Sequence, residues 1–150
     1  MWRKVVGVSV GAVLAAIGVQ HMVWEFTPWP FSSEDEWASH LLGSESARVP
    51  APLSFLVGSG LVVSGYLPLA SARLAPEIGP PWVYRLGTWG LAATLLLRGL
   101  GGPLLNSGTT EVHTHWNLWL YSPLCVALGA GIVAVAPRLD LGTLRRDASS

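Results

Sequence analysis

Residues 5–24 run for about 20 positions without a charged side chain, the length an α-helix needs to cross roughly 30 Å of hydrocarbon. Three more apolar runs of about this length follow, the second holding Arg73 near its end and the third holding Arg85 and Arg98. The second, 51–74, is opened by Pro50 and Pro52, where a missing N–H does little harm at a helix start. The third, 82–101, follows the breaker Gly79-Pro80-Pro81, and the fourth, 116–136, stops at Pro137. Each is too long and too uniformly apolar for a buried strand. Arg3 and Lys4 ahead of the first run also fit a signal peptide. That run is long for a signal core, lacks an A-x-A cleavage site and ends in polar groups, so it reads as a span. The expected fold is all-α: a four-helix transmembrane bundle with antiparallel neighbours over residues 1–137, then a polar cytoplasmic tail over 138–150.

Composition supports this reading and excludes others. Only 12% of residues are charged and mean hydropathy is +0.46, against about 25% charged in a soluble domain. A net charge of zero gives a nucleic-acid partner no electrostatic support. The single cysteine, Cys125, lies in an apolar run, which excludes an internal disulfide framework and suits a packed core thiol. There is no internal repeat, P-loop, GxGxxG or CxxC.

Lysine and arginine placement sets the direction of crossing. With the N-terminus inside, Arg3, Lys4, Arg73, Arg85, Arg138, Arg145 and Arg146 fall on the cytoplasmic side and only Arg48 outside. Both termini are therefore expected in the cytoplasm, with the protein in a bacterial plasma membrane. Small residues recur at helical spacing: Gly7, Gly11, Ala15 and Gly18; Ser54 and Gly58; Cys125 and Gly129. Such steps let membrane helices approach closely. Trp2, Trp24, Trp29, Trp82, Trp116 and Trp119 fall near the expected interfaces, as an aromatic belt requires. In the first outer loop, 25–49, Ser33 and Glu36 have the spacing of a capping box, which predicts a short surface helix.

Polar residues inside the spans call for partners. Counted from the inner boundary at about 1.5 Å per residue, Arg98 stands about 22 Å up the third span and His21 about 24 Å up the first. Tyr121 lies about 7 Å down from the outer start of the fourth. Three polar groups from three helices thus share one level near the outer face. Glu25 follows His21 by one turn, and Asn117 precedes Tyr121 by one turn, so each pair shares a helix face. His113, His115 and Glu111 fall in the loop just above. Arg98 is expected to point into the bundle and contact Glu25, His21 or Tyr121, since an unpaired cation in hydrocarbon is costly. One cavity opening toward the outer leaflet is expected, lined by His21, Glu25, Arg98, Asn117, Trp119 and Tyr121, with Trp24 beside it. Trp119 sits about 200° from Asn117 on an ideal helix, which makes it the weakest member.

The segments IGVQHMVW (17–24), LLRGLG (96–101) and YSPLC (121–125) resemble a family of small four-pass bacterial membrane proteins known only as a domain of unknown function. The resemblance implies that His21, Trp24, Arg98, Tyr121, Ser122 and Pro123 are family positions. It also implies an acid four residues before the tyrosine, where this chain has Asn117. His21-x-x-x-Glu25 with Asn117-Leu118-Trp119 resembles the emopamil-binding sterol isomerase superfamily. That likeness implies proton transfer by His21 and Glu25 in a membrane cavity lined by Asn117 and Trp119.

Three functions stand open at this point. One is binding of a lipid-like or hydrophobic ligand, or an accessory role beside another membrane protein, through Trp24, Arg98, Asn117, Trp119 and Tyr121. Another is acid–base catalysis by His21 and Glu25 on a membrane-dissolved substrate. The last is a haem or metal site using His21 with His113 or His115. No cofactor is expected under the first two.

Overall fold

A computed structural model describes residues 1–50 and 52–137, and these residues contain helices and no strand. In chain order the helices are α1 (Trp2–Val23), α2 (Glu34–Leu41), α3 (Leu53–Ser64), α4 (Tyr66–Ser71), α5 (Pro81–Gly101), α6 (Glu111–Trp116) and α7 (Ser122–Val135). A 3-10 turn, Gly102–Leu105, follows α5, and a π turn, Asn117–Tyr121, joins α6 to α7. The expected tail 138–150, with Arg138, Arg145 and Arg146, lies outside the described residues, as does Ala51.

Local chemistry explains the breaks. Pro68 has no N–H to give the Ser64 carbonyl and its ring crowds that oxygen, so the second run divides at Gly65 into α3 and α4. Pro81 opens α5 at its first position. The Ser33 hydroxyl accepts the Glu36 N–H at 3.1 Å and the Glu36 carboxylate accepts the Ser32 N–H at 2.8 Å, which starts α2 where the capping signal predicts.

By length and composition, three stretches can cross a membrane: Trp2–Val23, Leu53–Ser71 and Glu111–Val135. α5 is 21 residues long but is not among them, because Arg85 and Arg98 dilute its apolar character. The expected third span, 82–101, therefore rests on how α5 packs, not on its hydropathy.

α1 packs along α3 and α4, α5 along α7, and α1 against α7. The close approaches fix the directions. Gly18 meets Gly58, Gly11 meets Gly65 and Gly7 meets Pro68, so α1 and the α3–α4 run are antiparallel. Gly99 meets Ser122 and Val126 while Gly129 meets Ala92 and Leu96, which makes α5 and α7 antiparallel as well. Where these glycines cross, carbonyl oxygens stand where a side chain would begin. Val10, Leu14, Ala92, Leu95, Leu128 and Ile132 form the core between the two pairs. At the end holding the N-terminus, Arg3 Nη2 donates to the Val135 carbonyl at 2.7 Å, capping α7 with a cation. Apolar side chains cover the outside instead of polar ones: Val5, Val19, Leu56, Val63, Leu86, Leu97 and Val133 are all exposed. A water-soluble bundle would turn polar residues outward.

Candidate functional site

At the end opposite Arg3 and Val135, α2 packs on α6, and the end of α1, α2 and the start of α3 border a cleft. Two polar regions form there.

The first is built on the π turn. Pro123 cannot donate to Trp119, and the helix widens so that the Ser122 N–H reaches the Asn117 carbonyl instead. Five residues apart would put two side chains about 140° apart on an α-helix. The π turn brings them onto one face, and the Ser122 hydroxyl donates to Asn117 Oδ1 at 3.1 Å. The same oxygen accepts from Arg98 Nη1 at 3.0 Å, and Asn117 Nδ2 donates to Asn106 Oδ1 at 2.7 Å. Asn117 is 1% exposed and Ser122 is buried. Gly102 leaves the room: a Cβ there would collide with Arg98 Nη1 and stand 2.8 Å from Ser122 Oγ. One amide thus ties α5, the chain after it and α7 together.

The second region is a cleft of about 190 Å³ between the end of α1, α2 and the start of α3. Trp24, Glu25, Glu34, Trp37, Arg48 and Ser54 are among the residues lining it. Trp24 is fixed by its Nε1, which donates to the Trp29 carbonyl at 2.9 Å, and its ring lies 6.1 Å edge-on from Trp37. Trp37 Nε1 is buried and, among the described residues, has no acceptor. Arg48 Nη2 pairs with Asp35 at 2.7 Å in an exposed bridge. Glu25 and Glu34 form no ion pair among the described residues.

α2 links the two regions. Thr110 Oγ1 donates to the Ser39 carbonyl at 2.7 Å, and His113 Nδ1–H donates to the His40 carbonyl at 2.9 Å. The His113 ring also faces Tyr121, with centroids 6.4 Å apart. His113 and His115, expected in a loop, belong to α6, and His113 is buried. Thr110 caps that helix by accepting the His113 N–H at 3.3 Å, a start signal readable in Thr110-Glu111.

The expected site residues divide between these regions. Trp24 and Glu25 line the cleft, and the His21 ring lies tilted against Trp24 with ring centroids 4.9 Å apart. Arg98 and Asn117 form the amide cluster. Arg98 bonds Asn117 rather than Glu25, His21 or Tyr121. Trp119 points outward at 75% exposure. Sequence reasoning passed over Asn106, Gly102 and Trp37. Ser122 entered only as a family position.

A carbonyl can only accept, so the contact of His21 Nδ1 with the Ile17 carbonyl at 2.8 Å puts the ring proton on Nδ1 and leaves Nε2 as the basic atom. Among the described residues no three His, Cys, Asp or Glu side chains gather as a metal ion would require.

No curated protein and no solved structure matches the chain. Residues 14–132, from the middle of α1 to the last turn of α7, match the family described as Protein of unknown function (DUF3995), and the chain belongs to that family.

Proposed function

We propose that the chain is a four-pass protein of the plasma membrane, with both termini cytoplasmic, that holds a lipid-like molecule in the cleft beneath α2. One observation carries the binding reading. The ring of Trp37, whose buried N–H has no acceptor among the described residues, lines a cleft that also offers the Trp24 indole and the Glu25 and Glu34 carboxylates, which form no ion pair among the described residues. A buried donor without a partner is expensive, by about 1–3 kcal/mol, and a small shift of the Trp37 ring would let an acceptor on an occupant of the cleft remove that expense. Indole walls suit an apolar body, and the polar rim suits a head group at the membrane surface.

Arginine placement supports the topology, because Arg3 lies beside the end of α7 and Arg73 and Arg85 belong to the same end of the molecule. Cysteines introduced at Ser44 and Ser149, with Cys125 replaced by alanine, test it in intact cells. An impermeant thiol reagent is expected to label position 44 and spare position 149. The reverse pattern would refute the orientation.

Organic extracts of the purified protein test the ligand. Wild-type protein is expected to yield one enriched lipid-like species, reduced about tenfold or more in Trp37→Ala, the scale for losing one good contact at a binding centre. Identical extracts from both proteins would remove the cleft from consideration.

The Nε2 of His21, which has no hydrogen bond among the described residues and belongs to a ring close to that of the cleft-lining Trp24, favours acid–base catalysis as the second reading. In that case His21→Ala abolishes conversion of the bound species while leaving its retention intact.

A further inference from the structure

Arg98 is held unusually for a cation within an apolar helix. Its hydrogen-bonding partner is the neutral amide of Asn117, and no carboxylate forms an ion pair with it among the described residues. A guanidinium offers five N–H donors in a planar fork, and Asn117 accepts from one nitrogen, Nη1. Asn117 cannot turn away, because its other contacts, to Asn106 and Ser122, hold both ends of the amide. The fork is therefore oriented by a rigid, uncharged support, with no counter-charge among the described residues.

The stem of Arg98 leaves α5 on the side that faces outward. Thr94, about 40° away around the helix, and Leu97, about 100° away, are both exposed, and so is Arg98 itself. Gly99, on the other side, is packed against α7. The remaining donors thus sit at the seam between α5 and α7, open to the surroundings at the loop end of the spans. On the four-pass reading Arg98 lies just below the outer boundary, from which its long side chain reaches the lipid headgroups. Planar recognition of an oxyanion is what an arginine fork does best.

We propose that Arg98, oriented by Asn117, binds a phosphate oxyanion at the α5–α7 seam, and that a phospholipid headgroup supplies it. This rests on the four-pass reading above but not on the cleft, whose residues it does not share. Simple snorkelling makes a different demand: it needs only a positive charge near the surface, without the amide support.

The full chain, purified in a mild non-ionic detergent, is titrated with phosphatidylglycerol and followed by native mass spectrometry. One lipid is expected to bind first. Its affinity is expected to fall roughly tenfold or more in Arg98→Gln, the scale for losing a charge-assisted hydrogen bond. Arg98→Lys is expected to recover only part of it. Asn117→Asp keeps the arginine and the acceptor geometry but supplies an internal counter-charge, and is expected to lose the lipid as Arg98→Gln does. This variant decides the matter even where Arg98→Gln fails to fold. Inorganic phosphate in millimolar excess separates the sources: failure to displace the lipid supports the headgroup, while displacement supports the oxyanion site and transfers it to free phosphate. Unchanged lipid affinity in Asn117→Asp would overturn the site and return Arg98 to snorkelling. It would leave the cleft and the topology untouched.

Discussion

Gly58→Leu is expected to separate α1 from α3 and produce the largest loss of stability of any single change at the helix crossings. A Cβ on Gly58 would stand 2.5 Å from the Gly18 carbonyl oxygen and 2.9 Å from the Met22 backbone nitrogen. Both are backbone atoms, which no rotamer change can move aside. The helices must part, and contacts along the whole α1–α3 seam loosen with them. Overpacking a core costs about 1–3 kcal/mol, and a clash against backbone belongs at or above the top of that range. Packing, not hydrophobicity, holds membrane helices together, so nothing else offsets the loss. Gly60→Leu is the matched control on the same helix, since a Cβ there meets nothing within 4 Å. It adds the same apolar volume and is expected to change stability by less than about 0.5 kcal/mol. Unfolding midpoints in mixed micelles compare the two. Equal midpoints would mean that the Gly18–Gly58 crossing does not hold the fold.

That crossing was readable in the sequence, as were the helices themselves. Gly7, Gly11 and Gly18 recur at steps that share a face, and the structure places all three against α3 and α4. The helical runs were legible because residues 5–24 and 116–136 leave no other way to satisfy their backbone in an apolar setting. The polar layer was only half legible. Counting residues along an axis gives height, and it puts Arg98, His21 and Tyr121 at one level with Asn117 one turn above, whereas Arg98 reaches up to bond Asn117. Height says nothing of direction around the bundle. α1 packs on α3, α4 and α7, whereas α5 packs on α4 and α7, so the groups on α1 answer to α2 and the cleft instead of to Arg98. The pairing within the last helix was hidden for another reason. A step of four, Asn117 to Tyr121, shares a face only on an α-helix. Pro123 widens the turn, and the bonded pair becomes Asn117 and Ser122. The proline was the available signal.

Asn117→Leu is expected to be the most damaging change in the polar layer. The amide makes three side-chain hydrogen bonds, to Arg98, Ser122 and Asn106, while only 1% exposed. Leucine is of similar size, so no large cavity accompanies the substitution and the effect reports the polar contacts. Interhelical hydrogen bonds in membranes average about 0.6 kcal/mol each, which puts the direct loss near 2 kcal/mol for three. Ser122 is buried and loses its acceptor, and a stranded buried group adds about 1–3 kcal/mol. A total of roughly 3–5 kcal/mol is expected, and it should fall as a break in the α5–α7 pairing while α1–α3 stays intact. Two variants bracket it. Asn117→Asp keeps the acceptor that serves Arg98 and Ser122 and gives up the donor to Asn106, so its loss is expected to be below about 1 kcal/mol. Trp119→Leu, two residues along and 75% exposed, is expected to be near neutral. A double-mutant cycle with Ser122→Ala isolates the pair across the π turn, with a coupling of about 0.5 kcal/mol or more expected for groups in direct contact. Zero coupling, or equal losses for Asn117→Leu and Trp119→Leu, would show that the widened turn sets no polar contact of consequence.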